Sequence, residues 1–264
     1  MPNTIINRKV VFGGIKYDAD ALTYFSYLTT PPSSARKQII NNLVLTLKAN
    51  SNWALLDRLW LLASESQQAS TISLVNPSST AITEVNSPTW TLDQGYTGNG
   101  STSYLDSNFN KSSQGVNYTL NVASFGVYCR TNIAAPTDEM GTFDGTNGAQ
   151  LLTRSTASIV ARINTSAGLI VDAIPDSLGL TAISRVDASN IMSYKNGSLI
   201  NTTAGAASAI PNLVTFICAL NLSSVASVHS AKQLSMAFAG SGTINQATFY
   251  TAIQNYMTAL GTQV

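Results

Sequence analysis

Three glutamates, a single histidine, two cysteines and ten tyrosines are among the few side chains in this chain that could do chemistry. Their spacing favours recognition over catalysis. Glycoside hydrolysis needs two carboxyl groups roughly 5–9.5 Å apart, yet Glu65, Glu84 and Glu139 are far apart in sequence. Asp138 and Glu139 are adjacent, so on a strand they would point to opposite faces, and their place after Pro136 reads as a solvated loop. His229 has no serine elbow or cysteine partner that would make it a general base. Cys129 and Cys218 sit in alternating apolar segments and read as small core residues, and with one histidine they fall short of a zinc set. Sugar binding asks for an aromatic face beside amides or carboxylates. Tyr96, Asp144, Asn147 and Tyr194 lie at expected turns and are the candidates for that role.

Composition narrows the partners. Charged residues make up 10% of the chain and the formal net charge is +1, against a usual charged fraction of about 25%. Such a surface is neutral and hydrogen-bonding, which suits packing into an assembly. The basic residues are dispersed, so no nucleic-acid footprint is present. Arg8, Lys9 and Lys16, with Val11 and Phe12, make an amino-terminal arm (residues 1–17) that could dock on a partner. The first ten residues lack the layout of a secretory signal, and no run reaches the ~18 apolar residues of a membrane span. Synthesis in the cytoplasm, without membrane insertion, is expected.

The elements that would position these residues change character along the chain. Residues 18–78 read as helical: Asp18 or Asp20 caps a first helix ended by Pro31-Pro32, and Ser33 or Ser34 caps a second bearing Ile39, Ile40, Leu43, Val44 and Leu47. A third helix is expected from Trp53 to about Leu62, apolar around most of its circumference, with Trp53 and Trp60 in the core. From about residue 79 the pattern is that of strands, at 81–85, 89–92, 103–105, 118–122, 124–129, 149–152, 158–163, 168–171, 179–184, 190–194, 197–200, 213–220 and 233–238. Gly98-Asn99-Gly100 is a tight-turn signal, and Asn196-Gly197 marks a two-residue hairpin. A final helix, 244–260, has Asn245 as its cap. Short strands at this spacing predict a mainly β, antiparallel two-sheet sandwich over residues 79–264.

The succession of 96–106 (YTGNGSTSYLD), 124–128 (SFGVY), 194–197 (YKNG), 239–242 (AGSG) and 249–253 (FYTAI) resembles the concanavalin A/laminin-G-like domains, over about residues 80–262. The stretches 36–40 and 53–58 look like the helical preface of such domains in tailed-phage proteins. The resemblance implies a jelly-roll-like sandwich on a virion surface, as a decoration, fibre or tail-associated protein. It would be a homo-oligomer docked on other virion proteins and able to contact a cell-surface glycan. Related sandwiches include glycosidases, but this chain lacks a Glu-x-Asp-x-x-Glu arrangement and reads as non-enzymatic. The resemblance also raises calcium. Asp144-Gly-Thr-Asn147 could supply oxygens, but calcium takes six to eight and Asp-Gly is first a turn signal, so no metal or cofactor is assigned.

Overall fold

The computed structural model describes residues 16–264. Arg8, Lys9, Val11 and Phe12 of the expected docking arm lie outside the described residues, and Lys16 is exposed.

Two helices form where their caps predict. Asp18 accepts a hydrogen bond from the Asp20 N–H to start α1 (Ala19–Ser26), and the Ser33 hydroxyl accepts from the Arg36 N–H to start α2 (Ser34–Ala49). The expected third helix does not form. Only one turn at Trp53–Leu55 is helical, and the chain then runs as strand β1 (Leu56–Trp60), followed by the short helix α3 (Gln67–Thr71). The spacing of Leu56, Leu59 and Trp60 is helical, but all five residues of β1, Asp57 and Arg58 included, are buried, so local period did not decide the element. Available hydrogen bonds decided it, because β1 pairs with the edge of β17 (Gln233–Gly240).

The remaining strands are β2 (Thr83–Val85), β3 (Thr89–Thr91), β4 (Gly95–Thr97), β5 (Tyr104–Asn110), β6 (Ala123–Cys129), β7 (Met140–Phe143), β8 (Gly148–Ser155) and β9 (Ser158–Thr165). They continue with β10 (Ile170–Ala173), β11 (Gly179–Arg185), β12 (Asn190–Lys195), β13 (Ser198–Ala204), β14 (Val214–Ile217), β15 (Leu220–Leu222) and β16 (Val225–Ser227). A short turn of helix, α4 (Lys111–Gln114), follows β5, and α5 (Gln246–Ala259) closes the chain, capped by Asn245 through the Thr248 N–H. Residues 118–122, expected as a strand, form a loop, although Tyr118 is buried in the core.

One sheet has the order β13-β12-β11-β6-β17-β4-β3, with β1 beside β17, and the other β10-β9-β8-β7-β14-β5-β2, with β15 and β16 beside β7. The pairing is antiparallel apart from β15 on β7. Strands hold 37% of the residues and helices 20%, so the architecture is the expected mainly β sandwich with helices at both ends. Its inner core includes Trp60, Leu105, Phe109, Phe125, Ile183 and Ile217. A second apolar layer, with Leu43, Leu47, Leu59, Phe238, Phe249 and Ile253, lies between the first sheet and the helices. Helices α1, α2 and α5 therefore cover the first sheet, of which β1 is itself a strand.

The Asn196-Gly197 hairpin forms between β12 and β13, both residues at positive φ (48° and 79°), the geometry of a two-residue primed turn.

Candidate functional site

The second sheet carries the site. Along β5, Leu105, Ser107 and Phe109 are buried while Tyr104, Asp106, Asn108 and Asn110 are half-buried on the outer face, the alternation expected of a strand with one face on a core. Phe216 of β14 pairs with Asp106 and so shares that face. Its ring centroid lies 4.4 Å from that of Tyr104. His229, in the loop between β16 and β17, stands edge-on to Tyr104 at 6.1 Å. Tyr104 and His229 border a shallow hollow of about 400 Å³ whose rim includes Asn86, Ser101, Thr102 and Val225, while Phe216 is buried behind Tyr104.

The rim is held by the glycine-rich motif. The Asn99 side-chain oxygen accepts from the backbone N–H groups of Ser101 (3.0 Å), Thr102 (2.8 Å) and Ser103 (2.9 Å), and its amide nitrogen donates to the Thr102 hydroxyl at 2.9 Å. The motif is thus a crossover between sheets, from β4 in one to β5 in the other. Gly98 is required by space: a Cβ there would sit 2.1 Å from the Ser230 carbonyl oxygen, so the loop presses on the segment that carries His229. Asn86, at positive φ, donates to the Thr102 carbonyl at 2.9 Å and leaves its own side-chain oxygen as an acceptor.

Electrostatically the hollow is close to neutral. Burial lowers the His229 pKa below its ordinary value, so the ring is uncharged near neutral pH, and Nε2 is buried with no partner among the described residues. Burial also raises Asp106, against the Asn108 N–H that it accepts, and burial with the Asp106 charge raises Tyr104. The lining offers an aromatic surface, amides and hydroxyls, and holds no carboxylate among the described residues. Such a surface can hold the apolar face of a sugar ring and hydrogen-bond its hydroxyls.

The residues singled out from sequence lie elsewhere. Tyr96, expected at an exposed turn, is buried between the sheets because β4 pairs with both β3 and β17. Its hydroxyl donates to Glu84 at 2.6 Å and accepts from Ser70 at 3.0 Å. Tyr194 is half-buried under the helical layer, its hydroxyl on Met192 Sδ at 3.4 Å. Asp144 and Asn147 form the turn between β7 and β8. There Asp144 accepts from the N–H groups of Thr146 and Asn147, and the Asn147 side-chain oxygen accepts from Ser208. The four are not brought together.

Asp138 and Glu139, expected in a solvated loop, are both buried, although they do point apart. Asp138 faces Gln150 at 3.3 Å; Glu139 meets Lys232 at 3.2 Å and accepts from Ser230, Thr137 and Thr153. Desolvation and the neighbouring Glu139 charge hold the Asp138 carboxyl well above the usual carboxylate range.

Tyr104 and Asp106 do fall within the 96–106 motif, and their i, i+2 spacing was the available signal for a shared face. Nothing local to Phe216 or His229 signals that tertiary pairing would add them.

The fold is a mainly β, antiparallel two-sheet sandwich with helices at both ends and a hollow beside Tyr104 and His229 on its second sheet. No protein-family model and no curated protein matches the chain. Among solved structures it is similar to botulinum neurotoxin type C, with a TM-score of 0.52 and 8% identity, over 76% of this chain and 52% of that one. It is also similar to a mutant Trypanosoma rangeli sialidase displaying trans-sialidase activity, with a TM-score of 0.50 and 10% identity, over 83% of this chain and 39% of that one. The CBM40 of the Ruminococcus gnavus IT-sialidase aligns over 46% of this chain and 76% of its own, with a TM-score of 0.37 and 14% identity. The chain thus spans about half of the neurotoxin chain and less of the sialidase. At these identities the likeness is one of fold.

Proposed function

We propose that the chain is a non-enzymatic carbohydrate-recognition module that binds glycan in the hollow beside Tyr104. The observation that carries this reading is the joining of Tyr104, backed by Phe216, and His229 with the amide and hydroxyl rim of Asn86, Ser101 and Thr102 in one surface hollow. Shared architecture supports it: the neurotoxin is one whose cell entry depends on interaction with two ganglioside molecules. Among the described residues the hollow holds no carboxylate pair for glycoside hydrolysis, which supports binding without turnover.

A glycan array probed with the whole chain tests the reading. Binding should weaken about tenfold in Tyr104→Ala, roughly 1.4 kcal/mol, with unchanged thermal unfolding. No binding to arrays or cells, or binding indifferent to Tyr104, would sink it.

The finer reading places this module on a virion surface as a homo-oligomer docked through its amino-terminal part. Support comes from the low charge and the resemblance of residues 36–40 and 53–58 to the helical preface of tailed-phage proteins. The chain should then be stoichiometric in purified particles, and deletion of residues 1–17 should abolish incorporation while the sandwich stays folded. Incorporation unchanged by the deletion would exclude docking by the arm.

A further inference from the structure

Asp57 and Arg58 are adjacent at the start of β1 and are both nearly buried, but only one of them has its hydrogen-bonding capacity filled. Asp57 Oδ1 accepts from the N–H groups of Val116 (3.1 Å) and Asn117 (2.9 Å), and Oδ2 from that of Tyr118 (2.8 Å), so the loop after α4 closes on the carboxylate. Arg58 is 6% exposed, with its guanidinium carbon 4.5 Å from the centre of the Phe109 ring. Its Nη1 donates to the Asp57 carbonyl at 2.7 Å. Among the described residues its Nε and Nη2 have no hydrogen-bond partner, no carboxylate lies within ion-pair distance of it, and neither nitrogen is sealed from solvent. A guanidinium this deeply placed ordinarily has a carboxylate or phosphate partner.

The hollow that Arg58 lines, about 260 Å³, also presents Asn76, Gln114 and Asn117. The Gln114 side-chain oxygen accepts from the Asn110 N–H at 2.8 Å, and that of Asn76 from the Ser78 hydroxyl at 2.9 Å. Each therefore keeps its amide N–H₂ free. These two amides and the free edge of Arg58 are open donors, while the carboxylate of the lining, Asp57, already accepts from three N–H groups. Open amide donors beside the Arg58 charge are complementary to an anion that only accepts hydrogen bonds.

We propose that this hollow is a carboxylate-binding site, in which the free edge of Arg58 takes both oxygens of a planar carboxylate and the Gln114 and Asn76 amides complete the contacts. The forked guanidinium matches two coplanar oxygens, which selects a carboxylate over a neutral hydroxyl. The site lies at the far end of β5 from Tyr104, about 20 Å along the strand, and is independent of the aromatic hollow.

The test is a titration of the whole chain, at constant ionic strength, with sodium acetate, sodium glucuronate, glucose and inorganic phosphate, followed by the NMR shifts of amides 116–118. Acetate and glucuronate should both give saturable shifts and glucose none. Tighter glucuronate binding would identify a sugar acid as the natural source, and equal binding a small organic acid. Arg58→Gln should weaken binding at least about tenfold. Gln114→Ala changes an exposed residue and should weaken it about threefold without unfolding the protein. Absence of a saturable acetate shift, an equal response to glucose, saturation by phosphate alone, or unchanged affinity in both variants would each overturn the assignment.

Discussion

Replacing Lys111 by methionine should stabilise the protein, and the gain should shrink as pH rises. Lys111 is 2% exposed, its Nζ has no hydrogen-bond partner among the described residues, and burial pushes its pKa down from 10.5 to about 7. Each pKa unit is about 1.4 kcal/mol, so keeping this amine protonated in the fold costs roughly 5 kcal/mol relative to the unfolded chain. The rings of Phe125 and Tyr118, 4.3 and 5.6 Å from Nζ, offset part of that cost, about 1–2 kcal/mol. Because the folded pKa is depressed, the full penalty applies below about pH 7 and vanishes as pH rises toward the unfolded value near 10.5. Over that window the unfolded chain binds the extra proton, so wild-type stability climbs with pH. Methionine keeps the length and removes the charge, so Lys111→Met should gain about 3 kcal/mol near pH 6 and roughly 2 kcal/mol near pH 9, where the folded amine is neutral and only the unfolded one is protonated. Denaturant midpoints of both proteins at the two pH values measure this, and the difference between them cancels other titrating groups. A destabilised variant at neutral pH, or a gain that does not change with pH, would refute the reasoning.

Three further outcomes follow from the contacts. Glu139→Gln leaves the fully buried Lys232 without its counter-charge and should cost about 3–5 kcal/mol in chemical denaturation. Gly98→Ala, whose Cβ would meet the Ser230 carbonyl, should lower the melting temperature and displace the His229 loop, read as shifts of the His229 ring protons. Asn245→Ala removes the cap of α5 and should cost about 1 kcal/mol, with little change in the sandwich by near-ultraviolet circular dichroism.

Local chemistry made much of this protein legible from its sequence. Caps at Asp18, Ser33 and Asn245 and the Asn196-Gly197 turn act through hydrogen bonds and φ preferences of neighbouring residues, so the two leading helices, the closing helix and the hairpin were all readable. Alternation along β5 likewise announced a strand with one buried face. Tertiary structure decided what depends on distant partners. Leu56–Trp60 became a strand because β17 offered an edge about 180 residues away, against the helical spacing of Leu56, Leu59 and Trp60. Tyr96 moved inside because two strands pair around it, and Asp138 and Glu139 are buried because Gln150 and Lys232 reach them from elsewhere in the chain. The same holds for the candidate site. Tyr104 and Asp106 share a face by their spacing, but Phe216 and His229 join them only through sheet pairing and a loop held against Gly98. Long-range contacts of this kind leave no periodic signal in the residues that make them.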